Sequence, residues 1–289
     1  MSDWMEVADR VYHRRYDPFD VSICVVRGGD GLLLVDTRSS HREGRRLQED
    51  LAVFGSPVRW VVNTHAHFDH TFGNAVFGGP PGDVPIYGHR LVPSHLAEHE
   101  AVMLEEWVAG GNGPVDGLEE VRITPPDQLV GDMSAMDVGD RAVLMLHLGR
   151  GHTDGDLVLH VPDAGCWVVG DLLEESGPPA YGSDSFPLEW PDTLATLLDR
   201  VGDDDTLVPG HGRALGRPFA EQQRADVRAV AELITELHDA GVDAGDALRA
   251  GGGRWPFPAH GLAEAVRLGY EALDHRRGGV ESPEEAERP

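Results

Sequence analysis

The densest chemistry in this sequence lies in one short stretch, Thr64-His65-Ala66-His67-Phe68-Asp69-His70. Imidazole nitrogens and a carboxylate at this spacing suit a divalent cation, because imidazole is a borderline ligand matched to zinc and similar metals. Positions 65 and 67 project together only where the chain turns. Asp69 and His70 are then free to face the other way and hold a second ion. A shuffled chain of this composition would show H-x-H-x-D-H with a probability on the order of 0.004, so chance is a poor account of it.

Three later places carry compatible groups: Gly151-His152-Thr153-Asp154-Gly155-Asp156, Asp171 after Gly170, and His211 within Pro209-Gly210-His211-Gly212. Each is expected just past the C-terminal end of a strand, beside a glycine that lets the backbone bend. Rigid strand ends converging on one edge are where α/β active sites form. Taken singly, a Gly-Asp or a Gly-His-Gly after a strand is more often a turn. Jointly, these groups supply the ligands that the first cluster lacks.

The elements that must position them follow from pattern. Strands are predicted over 8–15, 21–27 and 32–35, the last two joined by the hairpin signal Gly28-Gly29-Asp30-Gly31. Ser39-Ser40 caps a helix over 42–54 that Gly55 ends. A buried strand over 58–62 runs directly into the histidine cluster. Further strands are predicted at 84–88, 128–130, 142–148, 156–161, 166–169 and 206–208. Helices are predicted at 93–108, 190–201, 218–240 and 260–273. The order suggests mixed sheets flanked by helices, not a doubly wound unit. One domain is expected over 1–278, its C-terminal helical portion at 218–275, followed by a disordered acidic tail over 279–289.

Charge excludes other classes. Lys plus Arg is 24 and Asp plus Glu is 50, so the net charge is 24 − 50 = −26. Every cation is an arginine; with no lysine, Schiff-base lysine chemistry and the P-loop are ruled out. Such a negative surface disfavours nucleic acid. Cys24 and Cys166 do not make a disulfide framework, which fits a reducing compartment. With no apolar run of about 18 residues and no signal-peptide pattern, a cytoplasmic protein without a membrane partner is expected.

The joint pattern resembles the metallo-β-lactamase superfamily across residues 8 to 240: H-x-H-x-D-H, G-H-T-x-G-D, a later Asp and a late Gly-His-Gly, in that order. The resemblance implies a four-layer αββα sandwich, two mixed sheets packed face to face with helices outside and the metals at one edge. By the same resemblance, His65, His67 and His152 would hold a first ion, and Asp69, His70 and His211 a second, with Asp171 bridging. The implied cofactor is two divalent ions, zinc first and iron as the alternative. The implied activity is hydrolysis of an ester, thioester, lactone or amide of a small molecule by a bridging hydroxide. Asp69 would orient the hydroxide and pass a proton to the leaving group. Asp36 resembles the family's carboxylate that braces the ligand loop, with a plain polar strand end as its other reading.

Departures weigh the branches. Asp171 stands where the true β-lactamases carry Cys or Ser. The glyoxalase II branch binds glutathione with lysines that this chain lacks. The flavo-diiron branch has Glu where this chain has His67. The nucleic-acid-cleaving branch has an inserted domain not seen here, and the lactonase branch stays open. A mononuclear iron persulfide dioxygenase, using His67, His152 and Asp171, is the alternative from another class; a non-catalytic binding protein would have lost a ligand. The Gly/Pro-rich loop 174–190 offers Tyr181, Phe186 and Trp190 either to a substrate or to packing. Arg150 either binds an anion or pairs with a local acid such as Asp154. The remaining histidines considered, His41, His89, His95, His99, His147, His160, His238, His260 and His275, lack motif context and read as surface or satisfied core residues.

Overall fold

A computed structural model describes residues 4–78 and 84–278. The first seven strands are β1 (Met5–Ala8), β2 (Val11–Tyr16), β3 (Val21–Arg27), β4 (Leu32–Val35), β5 (Val58–Val62), β6 (Ile86–His89) and β7 (Gln128–Val130). The second group is β8 (Met133–Asp137), β9 (Ala142–His147), β10 (Leu157–Val161), β11 (Cys166–Glu174), β12 (Thr206–His211) and β13 (Leu215–Gly216). The helices are α1 (His41–Leu51), α2 (Phe68–Thr71), α3 (Asn74–Phe77), α4 (Val92–His95), α5 (Ala101–Gly110), α6 (Trp190–Leu198), α7 (Arg217–Asp239), α8 (Ala244–Gly251) and α9 (Ala263–Gly278).

The main strand path runs β7-β6-β5-β4-β3-β12-β11-β10-β9-β8. Its two halves meet edge to edge at β3 and β12 through one register pair, Val21 with His211. The sheets expected as separate are therefore joined at the edge where His211 sits. Both halves are mixed: β4–β5, β5–β6, β6–β7 and β11–β12 are parallel, the other pairings antiparallel.

Side-chain alternation makes the layers. In β4, Leu33 and Val35 enter the central core while Leu32 and Leu34 pack outward against Leu47 and Leu51 of α1. In β11, Cys166 and Val168 face the same central core while Trp167 and Val169 face α6, α7 and α9. A period of two that is apolar on both sides means each sheet is covered on both faces. That is an α/β, four-layer αββα sandwich. The helical layer on the second half is anchored by Trp190 of α6, fully buried; truncating such a side chain typically costs about 3–5 kcal/mol.

Ser40 caps α1 by accepting a hydrogen bond from Glu43 N, and Gly55 ends the following turn in a left-handed conformation, as expected. The helix expected over 93–108 is interrupted. α4 passes into a π turn at Leu96–Glu100 before α5 resumes. A π turn aligns residues five apart, which sets His95 beside Glu100. β8 and α8 have no counterpart among the predicted elements. The tail expected at 279–289 lies outside the described residues. Among the described residues no helix is long and apolar enough to cross a membrane.

Candidate metal centre

The histidine cluster starts where β5 ends. Asn63–Ala66 form an irregular turn, His67 precedes α2, and Asp69 and His70 lie on α2 itself. The turn groups His65 with His67 and the helical step groups Asp69 with His70, as their spacing allowed. Asn63 Nδ2 and Thr37 Oγ1 both donate to the His70 carbonyl, at 3.3 and 3.1 Å, and so fix this corner.

Two candidate ligand sets result. His65 Nε2 and His152 Nε2 lie 3.1 and 2.9 Å from His67 Nδ1, and Asp171 completes this set. Asp69, His70 and His211 form the second: His70 Nε2 is 3.4 Å from His211 Nε2, and Asp69 Oδ2 is 3.6 and 3.4 Å from these nitrogens. Asp171 stands between them. Its Oδ2 is 3.5 Å from His152 and 3.2 Å from His211, and its Oδ1 is 3.2 Å from His70. Ligands about 2 Å from a tetrahedral ion sit about 3.3 Å apart, which is close to these separations. All seven residues named from the sequence are thus brought together.

Two strands carry ligands differently from the expectation. Asp171 and His211 were expected beyond strand ends, but both lie within strands, β11 and β12. The β11–β12 register shifts around Gly170, whose φ is +54. That irregularity breaks the alternation and turns Asp171 toward the site. Gly210 is required by contact, because a Cβ there would overlap Asp171 Oδ1.

The outer nitrogens decide what the inner ones can do. His152 Nδ1 meets Ala180 O at 3.0 Å and His211 Nδ1 meets Phe19 O at 2.7 Å. His70 Nδ1 meets Asp36 Oδ2 at 2.8 Å and His67 Nε2 meets Asp184 Oδ2 at 3.0 Å. Thr64 Oγ1 donates to Asp36, so it accepts from His65 Nδ1 at 3.0 Å. Each ring therefore gives its outer proton to an acceptor, which leaves a lone pair on the inner nitrogen. Asp36 also accepts from Thr64 N, so its bracing reading holds over that of a plain strand end.

Electrostatics agree. Asp171 Oδ1 is buried and accepts no hydrogen bond. Burial would raise the Asp171 carboxyl, but the surrounding imidazoles, His211 foremost, hold it well below the usual range. Burial lowers His211, yet Asp171 and Asp69 outweigh it and hold it up at about 10. His67 is likewise lowered by burial and raised further by Asp184, to about 9. Burial dominates at His152, which falls to about 4. The carboxylates thus demand positive charge in the cavity. Protons on His67, His70 and His211 meet that demand without metal; divalent cations meet it with the rings neutral. The donor set and the orphaned Asp171 oxygen fit two such ions.

The aromatic side chains of the loop 174–190 pack onto the fold, and the loop reaches the cavity beside the centre through Gly182, Ser183 and Asp184. Tyr181 and Trp190 are buried against each other in the outer core, and Trp190 packs on the His152 ring. Phe186 lies beneath Arg150, whose guanidinium pairs with a local acid, Glu189, at 2.7 Å. What the loop brings to the site is Asp184 and the Ala180 carbonyl, neither singled out from the sequence. Glu174, buried beside Asp171 and His211 and raised to about 7 by burial and by Asp171, was also missed. No motif marks these residues. The clearest signal was an Asp in a loop just downstream of a candidate ligand. His95 corrects the bland reading of the unassigned histidines. With His99 it lines a cavity of about 390 Å³ that opens against His67 and Asp69. His160, by contrast, stacks on Trp167, and His238 pairs with Asp274 at 2.9 Å.

Fold and site together define an αββα sandwich with candidate metal-binding clusters gathered at one edge. The sequence profile of the metallo-beta-lactamase superfamily matches residues 16–211, and the chain belongs to that superfamily. It is 24% identical over 191 residues to a metallo-beta-lactamase type 2 of Bacillus cereus, an alignment spanning 65% of each chain. It is 27% identical over 135 residues to the probable metallo-hydrolase YqgX of Bacillus subtilis, covering 47% of this chain and 59% of that one. Among solved structures, a metallo-beta-lactamase from Pontibacter korlensis superposes with a TM-score of 0.63 at 18% identity, over 78% of this chain and 98% of that chain. The mono-zinc form of FIM-1 from Pseudomonas aeruginosa gives 0.60 at 22% identity, over 78% and 93%. These structural likenesses carry the fold. The family carries a metallo-hydrolase-like site.

Proposed function

We propose that this chain is a metal-dependent hydrolase with a dinuclear zinc site, cleaving an ester, thioester, lactone or amide of a small molecule. The observation that carries the reading is that five imidazoles and two carboxylates converge while every ring's outer nitrogen is anchored. His65, His67 and His152 would hold one ion, Asp69, His70 and His211 the other, with Asp171 between them. Two divalent ions so held would supply Lewis acidity and lower the pKa of a bound water to about 7, making it available as a nucleophile.

The chain's own part is positional. Asp36 fixes His70 and the Thr64 backbone, so both ligand sets move as one unit. Asp69 is 8% exposed at the cavity floor, where it can accept a proton from the attacking water and return it to the leaving group. The central core beneath the centre excludes bulk water and strengthens these interactions.

The test is a panel of thioesters, esters, lactones, β-lactams and phosphodiesters, assayed with zinc and after chelation. Turnover of one carbonyl class that chelator abolishes and zinc restores supports the reading. Chelator-resistant turnover contradicts it. A second reading, a mononuclear iron persulfide dioxygenase, would use His67, His152 and Asp171. It would show itself by one iron per chain and oxygen uptake with a persulfide. The Bacillus cereus relative keeps β-lactams on the panel, although Asp171 disfavours them.

A further inference from the structure

We infer that the cavity beside the centre is a subsite for a positively charged substituent of the substrate, an amine or other ammonium-type group. This rests on the hydrolase reading and narrows its substrate. His67 and Asp69 form the wall shared with the centre, while Glu98, Glu100 and Asp184, with the imidazoles of His95 and His99, supply the other titratable groups around the roughly 390 Å³. No arginine is among the residues lining it, and the sequence holds no lysine to reach it.

Glu100 is the informative residue. It is 1% exposed, its Oε2 accepts no hydrogen bond, and its Oε1 stands 3.7 Å from His95 Nε2, beyond hydrogen-bond reach. Asp184 Oδ2 is 3.5 Å from the same nitrogen and bonds His67 Nε2 at 3.0 Å. The π turn holds Glu100 beside His95 at this point. A buried carboxylate short of donors is costly unless a cation or donor arrives. An ammonium group is such a partner, since it brings both charge and N–H donors.

Part of the wall is apolar. Phe68, Met103 and the half-exposed Val102 offer a surface for an alkyl chain between the scissile carbonyl and the charge. The Phe68 ring adds a face on which a cation is favoured. A carboxylate or phosphate in the same place would meet like charges, a repulsive element that discriminates between substrates. The Arg150 guanidinium, which could otherwise bind an anion, is engaged with Glu189.

The experiment measures binding by calorimetry to the zinc-loaded protein. Three hydroxamates share a metal-binding head and differ at the far end: aminohexanohydroxamate, hexanohydroxamate and the monohydroxamate of adipic acid. The cationic probe should bind about tenfold tighter than the neutral one, and the anionic probe most weakly. That preference should shrink in high salt and in Glu98→Gln, and shrink further in Glu100→Gln. Glu98 is surface-exposed, so its variant keeps the test open if the buried Glu100 variant does not fold. Equal affinities, or preference for the anionic probe, overturn the subsite alone. Failure of all three probes to bind overturns the metal centre, and the subsite with it.

Discussion

At the scale of single residues, the centre depends on what each imidazole does with its second nitrogen. The ligand types and spacing in residues 64–70 were legible, because a short cluster of good ligands is rare by chance. The anchors were not. A backbone carbonyl such as that of Phe19 or Ala180 has no sequence signature, and Asp184 reaches His67 across 117 positions. Asp36 lay between, since its position after β4 allowed a bracing role without requiring it. Asp36→Ala should therefore weaken metal affinity about 10- to 100-fold while the fold persists, as read by competition with a zinc indicator. His67→Ala and Asp171→Ala should each remove several kcal/mol of transition-state stabilisation. Near-wild-type kcat/KM in both would contradict the ligand assignment. His260→Ala, at an exposed position remote from the ligand sets, serves as the control.

At the scale of elements, the centre is assembled where β4, β5, β11 and β12 approach one edge. Short runs of β-branched and aromatic residues bounded by turn signals made the strands readable from sequence, and within the fold their side chains alternate between the layers. The site departs from that alternation. β11 shifts register near Gly170, and α2 is a single turn too short for any periodic signal. These are the places where local rules yield to the demands of the ligands. The π turn before α5 was equally invisible, because its residues read as ordinary helix. A sharp consequence follows at Gly210. Its missing side chain makes room for Asp171, so Gly210→Ala should displace that carboxylate. Metal content should fall steeply while far-ultraviolet circular dichroism stays native. Retention of full metal content would show that β12 can yield without moving Asp171.

At the scale of the whole molecule, stability and metal loading are linked to protons. His13 is buried, and its Nε2 meets Ser22 Oγ, which itself donates to the Gly212 carbonyl. Burial, aided by Arg15, lowers His13 to about 4 from an ordinary 6.5. Below 6.5 the unfolded chain takes up a proton that the folded chain refuses. The stabilisation is therefore complete above pH 6.5 and lost as pH falls toward 4, a change of about 3 kcal/mol across the window. Urea unfolding in chelator should show that decline, and His13→Gln should flatten it; an unchanged slope in the variant would remove His13 as its source. The net charge of −26, legible at once, bears on association and solubility rather than on the fold. The central claim is that seven side chains from distant parts of the chain hold a pair of ions. It is tested most directly by elemental analysis of protein purified without added metal and then equilibrated with zinc. We predict two zinc ions per chain, falling to one when the second set is broken by His211→Ala. Trace metal in the wild type, with turnover intact in chelator, would contradict the account.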